Sequence, residues 1–104
     1  MPVTYVIKFE IVPEKRQTFL DLLNGVLDAM RSEPTFREAV LHVDPENQHR
    51  MMLYETWESH EDVVTVQVQR SYRARWHDAL PEILREPRDI SIWIPLRDDR
   101  AAPQ

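Results

Sequence analysis

An α+β fold in the order β-α-β-β-α-β is what the amino-acid sequence predicts, and three observations carry the prediction. The first residues alternate strictly between apolar and mixed positions. Two later stretches repeat their apolar residues at helical spacing. Between them, a turn-forming segment separates two short strand-like runs. That order is the ferredoxin-like split βαβ arrangement, a four-stranded antiparallel sheet with helices on one face.

Residues 3 to 11 put Val3, Tyr5, Ile7, Phe9 and Ile11 on one face and Thr4, Val6, Lys8 and Glu10 on the other, the mark of a half-buried strand. Pro13 and Glu14 open the first helix, where proline's missing N–H costs nothing and an acid suits the helix dipole. Phe19, Leu23, Val26 and Met30, flanked by Leu20, Leu22 and Leu27, form one apolar stripe, and Glu33 and Pro34 stop it. A second strand is expected over residues 37 to 44, then "DPENQHR" as a connection, then a third strand through "MMLYETW". Asp44, Pro45 and Asn47 are turn formers, so the two strands pair as a hairpin, with His49 placed in its connection.

Ser59 with Asp62 three residues on has the spacing of a helix cap. From Ser59 to Leu84 the pattern is helical in two pieces, with Pro81 disturbing the later one. "DISIWIPL" reads as the last strand, with Ile90, Ile92, Ile94 and Leu96 on one face. The domain spans residues 1–97, and 98–104 is a polar, flexible tail.

At 104 residues the chain fits one domain whose core is small enough that association with a second copy would help. Two helices cover one face of such a sheet, yet Val6 and Trp93 make the other face apolar too. The economical cover is the same face of another copy, a homodimer. A net charge of -5 argues against nucleic acid or an anionic membrane as the main partner. The chain has no cysteine, hence neither disulfides nor thiol chemistry, as suits a cytoplasmic protein. "MPVTYVIKFE" lacks a basic segment followed by an apolar run, and no stretch approaches the ~18 apolar residues of a membrane span. The single glycine, Gly25, removes glycine-rich phosphate loops and the usual dinucleotide site. The four histidines are scattered without metal-ligand spacing, so no metal is expected.

The segment "MMLYETWESHEDV" holds the strongest candidates. Alternation puts Leu53, Glu55 and Trp57 on one face at a strand end that runs straight into a capped helix, a place where a pocket can form. A flat indole at Trp57 suits an aromatic substrate. Glu55 in an apolar pocket without a partner would have a raised pKa and become a general base near neutrality; its ordinary alternative is a salt bridge to an arginine. His42, in phase with Val40 and Asp44 on the second strand, is the other candidate base. Arg70, Tyr72, Arg73, Arg75 and Trp76 make a basic, aromatic helical patch. Its plain reading is a solvated face; its functional one has Arg73 stabilising an oxyanion while Trp76 closes the pocket.

With this order in place the sequence resembles the antibiotic biosynthesis monooxygenase (ABM) domain family, over roughly residues 3 to 96. "VPEKRQTFLDLL", "VLHVDPENQHRMMLYETWES" and the "W…LPEIL…PRD" run carry the resemblance, "YETWES" most specifically. It implies a dimeric α+β barrel with a pocket between sheet and helices, lined by Trp57 and Leu53. By the same resemblance the activity is a cofactor-independent oxygenation of a small aromatic or quinol-type substrate by dioxygen. Many members carry histidines in the helix after that tryptophan. Here Val66, Gln67 or Val68 occupies the first such position and Ser71 or Arg73 the second, and Gln67 stands where the haem-degrading branch needs an axial histidine. No cofactor is therefore expected. The reading is a monooxygenase in which Trp57 orients the ring, Glu55 or His42 is the base and Arg73 steadies the anion. The alternatives on the same scaffold are a non-oxidative isomerase of a small carbonyl compound and a non-catalytic ligand-binding module.

Overall fold

The computed structural model describes residues 1–103. Gln104, the last residue assigned to the polar tail, lies outside the described residues. The chain runs β1 (Val3–Glu10), a 3₁₀ turn (Pro13–Lys15), α1 (Arg16–Met30), β2 (Phe36–Asp44), β3 (Asn47–Trp57) and α2 (His60–Thr65). Two further 3₁₀ turns (Gln67–Gln69 and Ser71–Arg73) lead into α3 (Ala74–Ile83) and β4 (Asp89–Trp93). The sheet order is β2-β3-β1-β4, antiparallel throughout, as the ferredoxin-like reading requires.

Register decides which residues reach the core. Tyr5 lies beside Glu55, Ile7 beside Leu53 and Val3 beside Trp57. On the other flank of β3, Ala39 lies beside Glu55 and Leu41 beside Leu53. These side chains share the face under the helices, because alternation is in phase across paired strands. The stripe of α1, Phe19, Leu23, Val26 and Met30, is buried as the spacing predicts. Trp76, Leu80 and Ile83 of α3 join it. Phe9, Phe19 and Trp76 meet edge-on or tilted at 4.9–5.8 Å between centroids, the arrangement that ring quadrupoles favour.

Two local expectations, the hairpin and the end of the last strand, are corrected. The hairpin is tighter than "DPENQHR" suggested: β2 ends at Asp44 and β3 begins at Asn47, so Pro45 and Glu46 make the turn. The Asp44 carboxylate accepts from the Glu46 N–H at 2.8 Å and the Asn47 side chain from the His49 N–H at 3.0 Å, which closes the turn early. His49 is thereby a strand residue, and its carbonyl accepts from the Ile11 N–H at 2.8 Å.

The second helical stretch is in two pieces as expected, the break falling at residues 66–73 and Pro81 lying within the later piece, α3. The β-branched run Val63, Val64, Thr65, Val66 disfavours continued helix. Pro81 has no N–H to offer the His77 carbonyl, and the helix ends two residues later, the Leu84 N–H donating to the Leu80 carbonyl at 3.0 Å.

Finally, β4 stops at Trp93, with Ile94 and Leu96 exposed beyond it. Pro95 has no N–H to extend the ladder. Ile90 and Ile92 pair beside Ile7 and Tyr5 on the helix-facing side, yet they are 48% and 53% exposed. The helices roof β1 and β3 and leave the β4 edge open. None of the described helices is long and apolar enough to cross a membrane.

Candidate active site

Strand alternation carries Glu55 into the core, where it is only 6% exposed. The Trp57 Nε1–H donates to its Oε1 at 3.2 Å. Among the described residues no ion pair to Glu55 forms, so the salt bridge that was its ordinary alternative is not made. Burial pushes the Glu55 carboxyl above its usual range; the Trp57 hydrogen bond and the more distant Arg73 and Arg88 charges pull it back without cancelling the rise.

Arg73 enters from the 3₁₀ turn that leads into α3 and is itself buried. Its guanidinium lies 5.8 Å from the centroid of the Trp57 ring and 5.5 Å from that of Tyr72, within cation–π range. Its Nε and Nη2 are enclosed and have no hydrogen-bond partner. Buried N–H groups are nearly always satisfied, so two orphaned donors on one side chain mark a place where an acceptor belongs.

Glu55, Arg73 and Arg88 face a shared internal cavity of about 30 Å³, with Leu53, Trp76, Ile7 and Phe9 in its apolar wall. Such a volume holds about one water molecule. A far larger cleft of about 520 Å³ opens beside it along the uncovered β4 edge, lined by His77, Leu80, Leu84, Arg88 and Ile90 among others. Arg88 borders both. Burial, with Arg88 and Arg73 nearby, holds the His77 imidazole below its ordinary value, so it is neutral at pH 7.

Glu55, Leu53, Arg73 and Trp76 thus converge on one cavity. Trp57 stands behind them, and its expected stacking on a substrate ring is corrected: the indole has 0% exposure, with the Phe36 ring edge-on at 5.2 Å and the Arg73 guanidinium over it. Its contact with the site is the hydrogen bond that aims the Glu55 carboxylate. His42 is not brought to this cavity. It pairs with Met52 on the opposite, outer face of the sheet and is exposed there.

Two residues complete the set: His77, which the sequence leaves free to face either way, and Arg88, which sequence reasoning missed. His77 had a detectable signal, since Arg73, His77, Leu80 and Leu84 follow helical spacing, although the phase was obscured by the break before α3. Arg88 gave no periodic signal, because it follows Pro87 in an irregular connection; its one trace in the sequence is the "PRD" of the run that carries the resemblance.

Gln67 is 1% exposed and its amide is already engaged. Its Nε2 donates to Glu33 and to Asp62, each at 3.1 Å, and its Oε1 accepts from the Tyr72 hydroxyl at 3.4 Å. Thr35 also donates to Asp62 at 2.6 Å, and these bonds from Thr35 and Gln67 hold the Asp62 carboxyl below its usual range. Ser59 caps α2 by accepting from the Asp62 N–H at 3.2 Å. This polar knot ties the turn after α1 to α2 and so fixes the approach of Arg73.

An acid without an ion pair and a cation with two unsatisfied donors, set in the core of a ferredoxin-like sheet, define the class: a small α+β domain with an enclosed polar site between sheet and helices. The family model for antibiotic biosynthesis monooxygenases matches residues 2–78, and the chain belongs to that family. It is 28% identical over 88 residues to "Putative monooxygenase GME11364" of Pestalotiopsis microspora, an alignment covering 84% of this chain and 73% of that one. Among solved structures it is similar to Rv0793 from Mycobacterium tuberculosis, with a TM-score of 0.85, 19% identity, and coverage of 96% and 100% of the two chains. SnoaB, a cofactor-independent oxygenase from Streptomyces nogalater, gives a TM-score of 0.79 at 13% identity over 93% and 95% of the two chains. At these identities the structural likenesses speak to fold.

Proposed function

We propose that the chain is a monooxygenase that oxidises a small phenolic or quinol-type aromatic with dioxygen and needs neither flavin nor metal. The observation that carries this reading is the pairing of a buried Glu55 lacking an ion pair with an Arg73 bearing two unsatisfied donors on the same cavity. Glu55 takes the phenolic proton. The Arg73 N–H groups donate to the oxyanion left behind, in a poorly solvated site where such donors act strongly. The electron-rich anion then reduces dioxygen. For a ring methylene the balance is CH₂ + O₂ → C=O + H₂O, with all the reducing electrons drawn from the substrate. Trp57 and Trp76 are positioning residues, one aiming Glu55 and the other walling the cavity. Membership of the monooxygenase family supports the reaction type.

Oxygen consumption by metal-free, flavin-free protein with a panel of hydroquinones and anthrones tests this. Uptake above the spontaneous rate is expected, and uptake no faster than without protein rejects it. Turnover of a carbonyl substrate under strict anaerobiosis would point instead to a non-oxidative use of the same base.

The working unit in this proposal is a homodimer formed through the outer face of the sheet. Val40 and Trp93 stand 45% and 60% exposed there, and Val6 and Tyr54 are half-buried between them. Light scattering after size exclusion is expected to give twice the chain mass. Trp93→Glu should reduce it to the single-chain value, since a charge there has no partner across a two-fold contact. A wild-type protein that is monomeric at micromolar concentration rejects the dimer.

A further inference from the structure

The inner cavity and the outer cleft together hold more positive charge than the proposed reaction consumes. Arg73 and Arg88 both border the cavity, Glu55 is the one acid there, and neither arginine forms an ion pair among the described residues. Once Glu55 has taken a proton it is neutral, leaving two guanidinium groups facing a single phenolate. A surplus cation in a poorly solvated site is costly unless something answers it.

Size fixes how a substrate must lie. About 30 Å³ cannot admit an aromatic ring, so only an oxygen substituent reaches Arg73 and Glu55. The ring must occupy the 520 Å³ cleft, whose Leu80, Leu84 and Ile90 supply apolar surface and whose neutral His77 adds no charge. Arg88 stands at the junction, alongside whatever the ring carries next to its reacting edge. The other charged groups of the cleft, Arg85 and Glu86, are exposed and of opposite sign, so they leave the surplus at Arg88 unanswered.

We propose that Arg88 is a specificity-determining residue that binds a carboxylate on the aromatic substrate, with the ring in the cleft along β4 and the phenolic oxygen in the inner cavity. The natural substrate is then a hydroxyaryl carboxylic acid. Guanidinium and carboxylate match in a fork-to-fork geometry, and the pair is strengthened by partial burial. This deepens the oxygenase reading, which supplies the phenolic oxygen, but the carboxylate site is testable without turnover.

The test is binding of 1-naphthoate against naphthalene-1-methanol, two ligands of similar shape with no oxidisable phenol, followed by calorimetry at low ionic strength. The wild type is expected to bind the acid about tenfold or more tightly than the alcohol, the worth of one charge-assisted pair. Arg88→Gln should bring the two to equal affinity while leaving alcohol binding unchanged and without lowering the thermal midpoint. Equal affinities in the wild type overturn the proposal. So does a preference that survives in Arg88→Gln or is lost only in Arg85→Gln, and so does failure of the wild type to bind either ligand. A protein that prefers the acid through Arg88 yet consumes no oxygen would keep this site and reject the oxygenase reading. Oxygen uptake without any acid preference would do the reverse.

Discussion

Glu55→Gln is expected to lower kcat/KM for oxygen uptake by about 10²–10⁴-fold, the usual worth of a positioned general base. The same change should leave the protein at least as stable as the wild type at pH 8. Both effects have one source, the burial that raises the Glu55 pKa. A carboxyl that binds its proton more tightly folded than unfolded contributes stability below its unfolded pKa. That contribution is lost as pH climbs through the raised folded value. The neutral amide of the variant carries no such dependence. The melting temperature of Glu55→Gln minus that of the wild type should therefore widen from the ordinary carboxylate range up to the raised pKa and then level off. Catalysis runs the other way, because the base must be ionised to work. The wild-type kcat/KM should rise with pH along an acid limb placed above the usual carboxylate range, and the residual activity of the variant should lack that limb. A variant as active as the wild type, or a wild-type profile flat through that window, would remove Glu55 as the base.

How much of this was legible in the sequence depended on how local the cause was. Period-two alternation at Val3, Tyr5, Ile7 and Phe9 and the α1 stripe at Phe19, Leu23, Val26 and Met30 are properties of single elements, and the structure keeps them. The same alternation puts Leu53, Glu55 and Trp57 on one face, a property of β3 alone. Alternation also put His42 on its own strand in phase with Val40. Only the register between β2 and β3 decides which side of the sheet that phase meets, and it sets His42 away from Glu55. The enclosure of Trp57 depends on Phe36 and Arg73, contacts that neighbours in sequence do not announce. Arg88 reaches the site from an irregular connection, where the chain obeys no period and the partner residues come from β3 and the turn before α3. Elements followed from pattern; the assembly of charges around a cavity followed from packing between elements.

Arg73→Met is expected to make the ligand-free protein more stable and the enzyme far slower. An enclosed guanidinium whose Nε and Nη2 lack acceptors is a burden on the folded state. Replacing it by an apolar side chain of adaptable shape removes a desolvation cost of about 1–3 kcal/mol for each unpaired donor. The thermal midpoint should rise accordingly. Oxygen uptake should fall about 10²–10³-fold, the usual loss when one oxyanion donor is removed from a preorganised site. A third effect separates this role from a structural one. Arg73 is among the charges that pull the Glu55 pKa back down, so its loss should move the acid limb of the pH profile to still higher pH. Arg73→Lys restores the charge without the planar fork and should return the limb toward its wild-type position while recovering only part of the rate. Were Arg73 merely part of the scaffold, Arg73→Met would melt earlier, and its activity would fall only as far as the folded fraction does. Stability lost with the pH profile unmoved would therefore exclude the oxyanion role. Stability gained with activity lost would mean that the fold carries the strain of two unsatisfied donors for the sake of the anion they bind.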